Sequence, residues 1–146
     1  MFSTYCLMSD YTNAINYGVK LLATLHELGE KVEEGKVAIT VAEICESQCK
    51  YAQAKELYES AINIKRETAD RTGEAEAREI LASMFGTLGE RVKGKEQLEK
   101  ALAIRIAIGD RKGEANAREK LATMFGSLGE LLKAKEHLEK IGRAHV

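Results

Sequence analysis

Proline is absent from this chain of 146 residues, tryptophan is absent too, and aromatic residues make up only 5%. Without proline, no position lacks its amide donor or clashes with a preceding helical turn. Few aromatics beside abundant Ala, Glu, Lys and Leu predict a soluble, all-helical chain. An excess of one charge is missing as well. The 22 Lys and Arg against 23 Asp and Glu leave a formal charge of −1, which supplies no general pull towards nucleic acid or an anionic membrane. No stretch approaches the ~18 consecutive apolar residues of a membrane helix. The opening MFSTYCLMSD has no basic residue ahead of an apolar run, as a secretory signal requires. Three cysteines (Cys6, Cys45, Cys49) are an odd number, which predicts reduced thiols and a cytoplasmic setting.

What the chain does have is repetition. Asp70–Lys100 returns as Asp110–Lys140, with 22 of 31 aligned positions identical and most others swapped like for like, as in Ser83/Thr123, Val92/Leu132 and Gly94/Ala134. A period between 20 and 50 residues marks a stacked repeat architecture, in which each unit is too small to bury its own apolar face. Within the unit, Ala77, Leu81, Met84, Phe85 and Leu88 recur at helical steps of three and four, with Glu76, Glu79, Ser83 and Thr87 on the opposite side. Gly89 reads as the helix stop. A second helix from about Glu90 carries Val92, Leu98, Ala101, Leu102 and Ile104–Ile108 as its apolar set, and Gly109–Gly113 reads as the link onward. Each unit is therefore expected to be a helical hairpin. Running the forty-residue offset backwards finds older copies. Ala54, Ala61 and Ile64 stand where Gly94, Ala101 and Ile104 stand, and Val41, Ala42 and Cys45 stand for Leu81, Ala82 and Phe85; Tyr5, Tyr11 and Ala14 extend the pattern one step further.

These spacings resemble the tetratricopeptide repeat, W-x₂-L-G-x₂-Y followed by A-x₃-F and Pro over 34 residues. Leu81-Ala82-x-x-Phe85 and Leu121-Ala122-x-x-Phe125 stand for the first segment, Gly94-x-x-x-Leu98 and Ala134-x-x-x-Leu138 for the second, and Ser9–Ile15 is similar to the family's opening of its second helix. Arg78 and Arg118 occupy the Trp place, no unit has the Pro, and the period is forty residues. That longer form is similar to the repeats of spindle-orientation regulators, of kinesin light chains and of long invertebrate repeat proteins. The resemblance implies an all-α solenoid, a right-handed superhelix of antiparallel hairpins: a partial repeat over 1–34, repeats at 35–74 and 75–114, and a truncated repeat at 115–140. The last six residues, IGRAHV, break the pattern. They are what ATC-GGA-AGA-GCA-CAC-GTC encodes, the start of a sequencing adapter, so residues 141–146 are expected to be a non-native tail and the chain a fragment of a longer repeat protein. Repeat arrays need capped ends, so self-association and lowered stability are expected of this one.

Chemical sites are weakly signalled. Gly89–Glu96 matches half of a phosphate-binding loop, but Glu96 stands where Ser or Thr must hold magnesium, and Ala134 replaces Gly94 in the sister copy. Gly94 is expected to serve helix packing. Cys45 and Cys49 read as a buried residue and a turn residue, His137 lies at the Gln97 place on a solvated face, and no metal, cofactor or catalytic group is expected. The resemblance implies a concave groove lined by the polar side of each first helix. Its candidates are Lys36, Glu43 and Ser47, then Glu76, Glu79, Ser83 and Thr87, then Asn116, Glu119, Thr123 and Ser127. Glu79 and Glu119 would favour a basic or amide-rich segment. Arg78 and Arg118 are expected to pair with Glu74 and Glu114 four residues earlier. The implied function is non-enzymatic binding of a peptide or partner helix, with no nucleic acid or membrane partner. Two rivals stand beside it: a spacer or self-associating array, and the sensor part of a signalling or transcription regulator.

Overall fold

A computed structural model describes residues 10–127 and 131–144, with the side chains of Ser127, Leu131, Leu132, Ala134, Arg143 and Ala144 left aside. Readings that fall on Tyr5, Cys6, Ser9 or the Ser127 side chain lie outside the described residues. Among the described residues seven helices follow one another: α1 Tyr11–Leu28, α2 Lys31–Ser47, α3 Tyr51–Glu67, α4 Arg71–Thr87, α5 Arg91–Ala107, α6 Arg111–Ser127 and α7 Leu131–Ala144. No strand occurs among the described residues. A helix begins every twenty residues, so two helices fill the forty-residue period.

The stops are as periodic as the starts. Gly29, Cys49, Ala69, Gly89 and Gly109 each take a left-handed φ of 58 to 79°. The next amide in each case donates back five residues: Glu30 to Leu25, Lys50 to Cys45, Asp70 to Lys65, Glu90 to Phe85 and Asp110 to Arg105, at 2.8–3.0 Å. This Schellman closure satisfies carbonyls that the helix end would otherwise orphan. The link to α6 is shorter than its glycines suggest. It ends at Asp110, whose carboxylate accepts the Gly113 amide at 2.9 Å and caps the first turn.

The chain divides into two compact units, 1–70 and 71–146. In the first, α2 packs against both α1 and α3. Ala38, Val41, Ala42 and Cys45 of α2 are buried, as are Ala54, Tyr58, Ala61 and Ile62 of α3. The Tyr58 hydroxyl donates to Glu46 at 2.8 Å, giving a buried phenol the partner it needs; burial first, then that bond, raises its pKa. In the second unit, α4 packs on α5, α5 on α6, and α6 on α7. Ala82, Leu98, Leu102, Ala117, Leu121, Ala122 and Phe125 form one cluster there, with Met124 against it. Gly94 lies in that seam: a methyl group on it would meet Met124 at 3.0 Å and the Ala82 carbonyl at 3.1 Å. Four large residues expected in the core are instead exposed. Val92, Ile106 and Ile108 stand 40–59% open, because one helix face accommodates only part of an apolar set that runs around the barrel of α5. Leu88, just past the end of α4, is 40% exposed.

Candidate functional site

The groove candidates belong to the first helix of each hairpin, so their placement can be read helix by helix. On α2, Lys36, Glu43 and Ser47 are exposed. Lys36 forms a surface ion pair with Glu33 at 3.5 Å, and the Ser47 hydroxyl donates to the Ile44 carbonyl at 2.7 Å. Partial desolvation, and then the neighbouring Glu46, hold the Glu43 carboxyl above its ordinary range. On α4, Glu76, Ser83 and Thr87 are exposed, and on α6 so are Asn116, Glu119 and Thr123.

Glu79 is the exception. The sequence reading put it on the open face, whereas the structure leaves it 7% exposed and bonded to Arg105 of α5 at 3.1 Å. Arg105 reaches on to Asp110 at 2.9 Å. Burial alone would disfavour the Arg105 charge, but Glu79 and then Asp110 outweigh that and raise its pKa. A long arginine crossing from the second helix draws the carboxylate inward, and helical periodicity of α4 alone carries no sign of it. Gly113 makes the room, since a side chain there would run into the Asp110 carboxylate and the Arg105 stem.

The expected arginine pairs are present. Arg78 donates to Glu74 at 3.1 Å and Arg118 to Glu114 at 3.0 Å. Each arginine also has a partner on the second helix of its hairpin: Gln97 accepts from Arg78 at 2.8 Å, and His137 meets Arg118 at 3.3 Å. His137 is thus not a solvated residue. It is half-buried and stacks on Phe125, with centroids 5.3 Å apart.

Ser83 and Thr123 come together. With Ala82, Leu98, Lys120 and Met124 they line a cavity of about 210 Å3 between α4, α5 and α6. Lys120 was missed by the sequence reading, although a signal existed: it replaces Ile80 of the preceding copy, one of two swaps, with Arg91/Leu131, between an apolar and a charged residue. Pockets that enclose a whole small molecule run to about 300–1,000 Å3, so this one suits a single side chain. Leu98 and Met124 give it apolar walls, and the exposed Lys120 also lines it. The Thr87 and Thr123 hydroxyls donate to the carbonyls of Ser83 and Glu119 at 3.1 Å, the usual back-bonding of threonine on a helix.

In the first unit, an open cavity of about 410 Å3 is bordered by Glu34, Glu56, Glu59, Glu67, His26 and Lys31, and none of the α2 groove candidates lines it. Glu34 already engages His26 at 3.3 Å and Lys31 at 3.6 Å. Among the described residues no three His, Cys, Asp or Glu side chains are grouped to hold a metal ion, and no helix is long and apolar enough to cross a membrane.

No protein-family model matches the chain, and no curated protein does. Solved structures do. BtubC (BKLC) from P. vanneervenii superposes with a TM-score of 0.83 at 16% identity, over 99% of this chain and 60% of that one. A kinesin-light-chain candidate from Podosopora anserina with nearly identical TPR-like repeats gives 0.74 at 18%, over 96% and 69%. The chain has the tetratricopeptide-repeat fold. A STAND signal-transduction ATPase with a tetratricopeptide-repeat sensor, from Pyrococcus horikoshii, gives a TM-score of 0.75 at 20% identity, over 97% of this chain and 23% of that one. The chain thus spans 60% of the length of BtubC and about a quarter of the signalling ATPase.

Proposed function

We propose that the chain is a non-enzymatic recognition module, part of a longer repeat protein, that holds an extended peptide or partner helix along the outer faces of α4 and α6. The observation that carries this reading is the cavity at Ser83, Leu98, Thr123 and Met124, which Lys120 also lines. It takes one medium-sized apolar side chain, and Lys120 favours a carboxylate beside it. With Glu79 neutralised inside the hairpin by Arg105, the preference for a basic segment drawn from Glu79 and Glu119 gives way to an apolar residue flanked by an acid. Cys45 and Cys49 are free thiols, in keeping with a reducing, cytoplasmic setting.

The test is selection of a displayed random-peptide library on the whole chain, followed by titration of the winners against Ser83→Trp and Lys120→Glu. Both positions are exposed, so the fold should survive. Winners are expected to share an apolar residue next to Asp or Glu, to lose binding to the tryptophan variant and to weaken about tenfold with the reversed charge. A library that yields no consensus, or winners indifferent to Ser83→Trp, would favour a spacer. The sensor reading is the second candidate, supported by the likeness to the sensor-bearing signalling ATPase. An effector domain encoded in the same transcript would decide for it.

A further inference from the structure

The two arginine clusters differ by one residue, and that residue titrates. Arg78 donates to Gln97 Oε1 at 2.8 Å, and an amide oxygen accepts at any pH. Arg118 Nη1 approaches His137 Nδ1 at 3.3 Å. A guanidinium only donates, so Nδ1 must be the acceptor and the imidazole must be neutral. From this geometry we infer that His137 makes the α6–α7 hairpin an acid-released latch, closed when the imidazole is neutral and loosened when it gains a proton. The α4–α5 hairpin has no such response.

Protonation turns the acceptor into a donor and sets two cations against each other. The surroundings offer the new charge little relief. Arg118 faces it from α6, where Glu114 is already engaged by that arginine. Lys140 lies on its own helix, and Lys95 of α5 and Lys133 of α7 sit over the Phe125 ring on which His137 stacks. Glu136 on α7 and Glu99 on α5 oppose this. Burial first, then Arg118 and Lys140, hold the His137 pKa below 6.5. The sign follows from linkage. The folded state binds the proton less readily than the unfolded one, so the stabilisation is complete above the unfolded pKa and is lost as pH falls through the folded value.

Hydrogen exchange on the whole chain at about pH 7.5 and about pH 5.5, corrected for intrinsic exchange, tests the latch. Amides of α7 are expected to lose protection on the order of fivefold relative to those of α5, the worth of one lost hydrogen bond. His137→Gln should keep the neutral-pH protection and remove the acid response, as the Arg78–Gln97 pair already does one hairpin earlier. In a proton NMR titration the His137 ring should titrate below the ordinary imidazole range. The idea is overturned if α7 protection in the wild type does not change with pH. It also fails if the Gln variant responds to acid as the wild type does, or if His137 titrates at or above the ordinary imidazole range.

Discussion

Hairpins α4–α5 and α6–α7 are built from nearly the same residues, yet they do not occupy the same environments. Leu98 is 3% exposed because Ala117, Leu121, Ala122 and Phe125 of α6 close over it. Leu138, the same residue at the same register, is 54% exposed. Glu79 is buried against Arg105, while its counterpart Glu119 faces water. Phe85 and Phe125 are both buried, and Phe125 is covered by Leu98 and Leu102 of the preceding hairpin as well as by His137 of its own. The contrast separates what a hairpin does for itself from what its successor does for it. Inter-hairpin burial depends on the neighbour, and an intra-hairpin contact such as Glu79–Arg105 repeats only where both partners are repeated.

The sharpest way to break that comparison is to truncate the paired leucines. Leu98→Ala removes a side chain from a packed cluster and should cost about 2–4 kcal/mol, read as a shift in the denaturant midpoint. Leu138→Ala should stay within about 0.5 kcal/mol, as exposed substitutions do. Equal effects would mean that α6 does not cover α5 in the way the structure describes.

The next comparison is the paired glutamates. Removing Glu79 leaves the buried Arg105 with Asp110 as its remaining carboxylate at 2.9 Å. Stripping one partner from a buried pair costs about 3–5 kcal/mol, and the surviving Asp110 contact should reduce that to about 2 kcal/mol for Glu79→Ala. Glu119→Ala should be close to neutral. Peptide winners from the library should be unaffected by Glu79→Gln once folded protein is normalised, since Glu79 does not reach the groove. A specific loss of peptide binding in that variant, with stability intact, would return Glu79 to the recognition face.

The hairpin architecture was legible because it rests on local rules that repeat. Apolar steps of three and four, and a turn residue every twenty positions, recur in four copies. Even a weak copy keeps the register, as Val41, Ala42 and Cys45 do by being buried where Leu81, Ala82 and Phe85 are buried. Contacts made by long side chains across helices were not legible. Arg105 to Glu79 spans 26 residues and Arg118 to His137 spans 19, and no pattern along one helix reports them. The groove face fared in between. Ser83 and Thr123 do meet at one cavity, whereas Glu79 was assigned by helical phase alone, and phase says nothing about which partner pulls a borderline position inward. The His137 position was misjudged for the same reason, since its outward phase is overridden by the Phe125 ring beneath it.

The smallest effect expected concerns the turns, where the two units differ. The second unit closes α4 and α5 with Gly89 and Gly109, but the first uses Cys49 at φ 60° and Ala69 at φ 58° in the same left-handed geometry. A residue with a side chain spends about 1–2 kcal/mol to sit there. Replacing it with glycine removes that strain, though the freer unfolded chain takes back about 0.5–1 kcal/mol. Cys49→Gly and Ala69→Gly should therefore each stabilise the chain by about 0.5 kcal/mol, and Gly89→Ala should destabilise it by a similar amount, all read from denaturant midpoints at constant slope. The Tyr51 hydroxyl contact to the Cys49 sulfur at 3.6 Å is weak and exposed, so its loss should not reverse the sign. If Cys49→Gly is destabilising, the thiol makes an interaction at that turn worth more than its backbone strain.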